Sequence, residues 1–134
     1  MSRPPRDRRS ARAQRRLLGL DFDGTMVVSA WPLIGEENPH AVDCVRRLID
    51  RGFDIVLFTA RGGQDRVAAL AWCEERFEVF AVNENPHWPI EPGEPGKPHF
   101  DLVVDDTAAG TPLLPNGAVD WLKLWPLIEL RIGV

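Results

Sequence analysis

The chain has 134 residues, 44% of them hydrophobic and 27% charged, with a formal net charge of −4. That length suits a single domain with a core of its own. No apolar run approaches the roughly 18 residues of a membrane helix, and the first sixteen residues hold no apolar stretch of a secretory signal.

The two cysteines, Cys44 and Cys73, form neither a C-x-x-C pair nor a zinc spacing. Buried free thiols in a cytoplasmic protein are therefore expected. Charge divides sharply near residue 16. Residues 1–16 carry seven arginines and one aspartate, +6, while residues 17–134 carry nine basic and nineteen acidic side chains, −10. With little apolar surface to bury, 1–16 reads as a disordered basic arm ahead of one domain, 17–134. Such an arm is either a solvated tail or a contact for nucleic acid or another polyanion. The acidic body argues against a general nucleic-acid binder.

Leu17 to Asp21 reads as a short buried strand, apolar without alternation, as in a parallel sheet. A loop over 22–38 follows, with Val27, Val28, Trp31, Leu33 and Ile34 available to fold over a site mouth. A helix is predicted next, capped by Asn38, with Pro39 at its first position and Gly52 at its stop. Asp54 to Thr59 is a second strand, and the turn Ala60-Arg61-Gly62-Gly63 leads into a helix near Gln64 to Arg76 with Val67, Leu70 and Ala71 inward. Val79–Val82 and Asp101–Val104 are the third and fourth strands, and a last helix is placed near Pro126 to Arg131. Prolines at 86, 89, 92, 95 and 98 fall at the period of polyproline II, about three residues per turn, so that segment is expected to be extended and stiff. Trp121 and Trp125 read as core or interface anchors, and tryptophans left exposed would mark a homodimer surface.

Strands alternating with helices imply βαβ units and an α/β, Rossmann-like three-layer sandwich with a parallel sheet. In such sheets ligands bind beyond the carboxyl ends of the strands. Asp21, Asp23, Thr59, Asp105 and Asp106 all lie just past predicted strand ends. If the strands are neighbours, these side chains converge on one rim. Close carboxylates repel, so a hard dication, Mg²⁺, is the compensation the residue types suggest. Asp21 would then be free to act as a nucleophile, with Asp23 as acid and base. Thr59 and the following amides at Ala60 and Arg61 would hold phosphoryl oxygens, the Arg61 side chain would reach phosphate or form a surface salt bridge, and Lys97 would supply a cation.

DFDGT at 21–25, an apolar strand ending in Thr59, Lys97 and DLVVDD at 101–106 together resemble the haloacid dehalogenase (HAD) superfamily of phosphatases, over residues 17 to about 130. The stretches IGEENPHAVDCVRRLIDRG, FTARGG and AVDWLKL are similar to a compact, capless or minimally capped branch of it. That resemblance implies Asp21 as nucleophile and Asp23 as acid/base. It implies Thr59 and Lys97 at the phosphate, and Mg²⁺ held by Asp21, the Asp23 backbone carbonyl and Asp105, with Asp106 ligating or supporting. The carboxylate at Asp23 favours a phosphatase over the dehalogenase and ATPase branches. Lys97 departs from the pattern by lying in a proline-rich loop, and His99 is a rival cation. With no long insertion for a cap, closure is left to residues 26–36, with Trp31 as a contact, or to a partner subunit.

The expected activity is thus a Mg²⁺-dependent phosphomonoester hydrolase acting through an aspartyl-phosphate on a small or exposed phosphate. Two other functions fit the pattern less well. A phosphoacceptor receiver-like module would need an aspartate after the third strand, where Asn83 stands. A non-catalytic or nucleic-acid-associated scaffold would depend on the basic arm.

Overall fold

The computed structural model describes residues 15–94 and 96–133. The expected arm therefore lies, but for its last two residues, outside the described residues. Those two belong to the folded domain. Arg16 opens the first strand, and Arg15 pairs with Asp54 at 2.9 Å.

The elements run β1 (Arg16–Leu20), α1 (Ala41–Asp50), β2 (Phe53–Leu57), α2 (Gly63–Glu74), β3 (Ala81–Val82), β4 (Leu102–Val104) and α3 (Trp121–Ile132). The four strands form one parallel sheet in the order β3-β2-β1-β4. This is an α/β fold of Rossmann type, as the alternation of elements predicts. Register matters most for the site. Leu20 lies beside Leu57 and Val104, and Leu57 lies beside Val82. All four strands therefore end level, and the residues that follow them share one rim.

Side chains alternate between the faces of a strand. Leu18 and Leu20 of β1, Phe53, Ile55 and Leu57 of β2 and Val104 of β4 join a single core cluster. That cluster also holds Val42, Val45 and Leu48 of α1, Ala69 and Cys73 of α2, and Trp121, Trp125 and Ile128 of α3. Gly19 and Val56 point the other way by the same period. A Cβ on Gly19 would come within 2.6 Å of the Phe100 ring, so only glycine lets that ring lie against the middle strand. Phe100 in turn meets Phe58 edge-on at 5.3 Å, and Phe80 stacks on His87 at 5.1 Å. The third layer is thus built from the proline-rich segment rather than from a helix. Asn85 clamps its ends by donating to the His99 carbonyl at 2.7 Å.

Several boundaries differ from the sequence expectation. Asn38 does not cap α1. His40 occupies that position in a left-handed conformation without a side-chain cap, while buried Asn38 donates to the carbonyls of Thr25 and Val119. The buried residues of α2 are Ala69 and Cys73, and Val67 is exposed. α3 begins five residues before Pro126, which sits inside it; Asp120 caps the start by accepting from the Lys123 amide. Burial of Trp121, Trp125 and Ile128 outweighs the hydrogen bond that the proline removes. The proline-rich segment is not one continuous extended run, because the Trp88 amide donates to Asn85 O and the Glu94 amide to Glu91 O, making two turns. Cys44 and Cys73 are free and buried, and burial pushes the Cys73 thiol up to about 12. Among the described residues no helix is long and apolar enough to cross a membrane.

Candidate functional site

Phe22 and the residues after it turn the chain sharply away from β1. Gly24 has φ 78°, a left-handed conformation, and a Cβ there would overlap the Asp106 carboxylate. Glycine in the DFDGT run therefore serves both the turn and the approach of the β4 tip. Thr25, fully buried, donates its hydroxyl to Asp21 Oδ2 at 2.9 Å and fixes that carboxylate's orientation. The Asp21 amide donates to Val104 O at 3.0 Å, tying the two acidic tips together.

Asp21, Asp105 and Asp106 each place a carboxylate oxygen within 4.8 Å of the others. Asp105 is steadied by Thr107, whose amide and hydroxyl both donate to Oδ1 at 2.9 Å. Without a cation the cluster is electrostatically uncomfortable. The Asp21 carboxyl is pushed up to about 8, first by burial, then by a hydrogen bond with Asp106 and the charges of Asp105 and Asp106. The Thr25 hydroxyl opposes that shift and loses. Asp106 is also raised, chiefly by burial. Three hard oxygen donors this close together, two of them on carboxyls that resist ionising, fit a hard dication, and Mg²⁺ suits so few carboxylates.

These acids open onto a cavity of about 630 Å³ that Thr59, Ala60 and Asn83 also line. Thr59 is buried, and its hydroxyl accepts from the Arg61 amide at 3.1 Å. Asn83, at φ 56° just past β3, brackets the Thr59 backbone. It accepts from Thr59 N at 2.8 Å and donates to Thr59 O at 2.9 Å. The level strand ends thus bring Asp21, Asp23, Thr59, Ala60, Asp105 and Asp106 to one cavity, as the sequence predicts.

Three assignments come out differently. Arg61, expected at the phosphate or in a surface salt bridge, is instead buried in an ion pair, with four of its five N–H donors engaged. Nε and one terminal nitrogen make a bidentate pair with Asp23 at 2.7 Å each. Two further donors reach the carbonyls of Pro32 and Leu33 at 3.1 and 2.8 Å, and the group lies over the Phe22 ring. The Asp23 side chain, expected among the metal ligands, is instead bound to Arg61 and is not part of the acidic cluster. Lys97 is exposed and does not line the cavity, although its neighbours Gly96 and Pro98 do. His99, the rival, is half-exposed and faces Asp101 at 3.8 Å. Sequence reading missed Thr25, Asn83 and Thr107. The usable signals were a hydroxyl four residues after Asp21 and an asparagine directly after an apolar strand.

Residues 27–37 make a small flap over this region. Val27 pairs with Glu37 and Ala30 with Leu33, both antiparallel, and Arg61 pins the tip through Pro32 and Leu33. Ser29 of the flap lines the large cavity.

Parallel strands ending level at an acidic rim define an α/β protein of Rossmann type with a candidate divalent-cation site. A solved structure of a conserved protein coded by a locus from Bacteroides thetaiotaomicron matches with a TM-score of 0.71 and 32% identity, over 87% of this chain and 92% of that one. The chain belongs to the family of that conserved protein. No protein-family model and no curated protein matches it.

Proposed function

We propose that the rim is the active site of a Mg²⁺-dependent phosphomonoester hydrolase of the HAD type, working through an aspartyl-phosphate. The observation that carries this reading is the cluster of Asp21, Asp105 and Asp106 within 4.8 Å, at the mouth of a cavity shared with buried Thr59. Mg²⁺ would be held by Asp21, Asp105, Asp106 and the Asp23 carbonyl. When bound it supplies positive charge against the carboxylates and the phosphoryl oxygens.

The chain's own groups then have distinct tasks. Asp21 attacks phosphorus, and the bond from phosphorus to the leaving-group oxygen breaks. Asp23 gives that oxygen a proton, then takes one from the water that cleaves the aspartyl-phosphate. Both Asp23 oxygens accept from Arg61, so protonating a leaving group requires the carboxyl to give up one of those bonds. Thr59 and the Ala60 amide hold phosphoryl oxygens. Lys97 joins only by a rearrangement that brings its exposed side chain inward past Gly96 and Pro98.

The test is Mg²⁺-dependent release of phosphate from an aryl phosphate. Asp21→Asn is expected to reduce kcat to background with the fold intact by circular dichroism. Turnover near the wild-type rate in that variant would remove Asp21 as nucleophile.

A further inference from the structure

Beside the acidic cavity lies a second one of about 320 Å³, lined by Asp23, Trp31, Ala60, Arg61 and Gly62. We propose that this cavity is the leaving-group subsite and that it takes a planar aromatic ring, with Trp31 as its stacking face. The proposal rests on the phosphatase reading above and adds the substrate class.

Four observations carry it. First, the two cavities share Asp23 and Ala60. An ester with its phosphorus at Asp21 and its bridging oxygen at Asp23 directs the rest of the molecule into the second cavity. Second, Trp31 is 62% exposed at the flap tip, whereas Trp121 and Trp125 are buried in the core. A large ring left uncovered beside a cavity has surface to gain from a partner. Its position is nonetheless held, because Arg61 grips the carbonyls of the two residues that follow it. Third, the one cation in the wall is spent: the Arg61 guanidinium is bound to Asp23, Pro32 and Leu33. No second cation lines this cavity to select a further phosphate or a carboxylate. Fourth, nothing lies within 4 Å of a Cβ built on Gly62, so the space beside it is open. At φ −126° and ψ 172° that backbone accepts any residue.

The ring could belong to an aryl ester or a nucleoside, and the substrates distinguish them. The experiment compares kcat/KM for phenyl phosphate and uridine 5′-monophosphate, each against glycerol 2-phosphate. It uses the full chain as wild type, Trp31→Ala, Trp31→Phe and Gly62→Leu. Base–aromatic stacking predicts that the aromatic-to-glycerol ratio falls about fivefold or more in Trp31→Ala and survives in Trp31→Phe. Gly62→Leu, which fills the space without strain, lowers the same ratio. A second readout is quenching of tryptophan fluorescence by phenylphosphonate, which is not hydrolysed. The quench is expected in wild type and lost in Trp31→Ala.

Turnover with ratio and quench indifferent to positions 31 and 62 overturns the subsite and leaves the phosphatase. A Trp31-dependent quench without turnover of any ester keeps the subsite and removes the phosphatase. Absence of both overturns both. A wild-type dimer that Trp31→Ala dissolves, with the ratio unchanged, shows that a second copy covers Trp31 and overturns the subsite.

Discussion

Arg61 is the residue on which local structure and chemistry meet. Its side chain is 2% exposed, and its charge is compensated by a bidentate pair with Asp23, which is 22% exposed. Such a pair contributes little net stability against apolar replacements, but removing one partner strands the other. Here it would also strand the carbonyls of Pro32 and Leu33. Arg61→Ala is therefore expected to lower stability by about 3 kcal/mol in urea denaturation, and to lower kcat by loosening Asp23. Arg61→Lys should restore little of either, because an ammonium cannot reproduce the planar fork. Equal kcat in all three proteins would show that Asp23 works independently of its partner.

The strand tips are the functional unit at the next scale. Each contributes one polar piece to the rim: Asp21 after β1, Thr59 after β2, Asn83 after β3, Asp105 and Asp106 after β4. Asn83 joins the β2 and β3 tips through two hydrogen bonds, worth about 1 kcal/mol each. Asn83→Gly keeps the left-handed backbone while deleting them, so a loss of about 2 kcal/mol is expected with a raised KM for phosphate esters. An unchanged KM would detach Thr59 from substrate binding. These tips were legible in the sequence because buried parallel strands are apolar runs that stop where polar residues begin. Helix boundaries were less legible. Pro126 imitates a start signal, yet α3 already begins at Trp121, whose indole donates to the Thr25 carbonyl across the core. Arg61 was open for a related reason. A charged residue after a phosphate-binding threonine reads equally as a ligand contact or a surface ion pair, and only the folded flap reveals the burial and the carbonyls that claim it. Lys97 was visible as a residue, but no local pattern fixes where a side chain between prolines points.

For the molecule as a whole, the acidic rim couples cation binding to stability. Asp21 is raised from 3.8 in the unfolded range to about 8 in the fold. A carboxyl raised on folding favours the folded state below its unfolded value and loses that contribution as pH rises through the folded one. Without a divalent cation, Tm is therefore expected to fall as pH is taken from about 5 to about 9. Saturating Mg²⁺ should remove that fall, and the Tm gain it gives should grow with pH, because binding must expel the Asp21 proton. Differential scanning calorimetry across this range checks both signs, and a cation effect independent of pH would detach the ion from Asp21.

The most direct measurement is acid-quenched mass spectrometry of an Asp23→Asn variant mixed with an aryl phosphate and Mg²⁺. Slowed breakdown should leave a phosphoryl group on the peptide carrying Asp21, absent without Mg²⁺ and absent when Asp21 is also changed to Asn. Phosphate released through repeated turnovers, with no phosphorylated peptide or with the label on another residue, would contradict it.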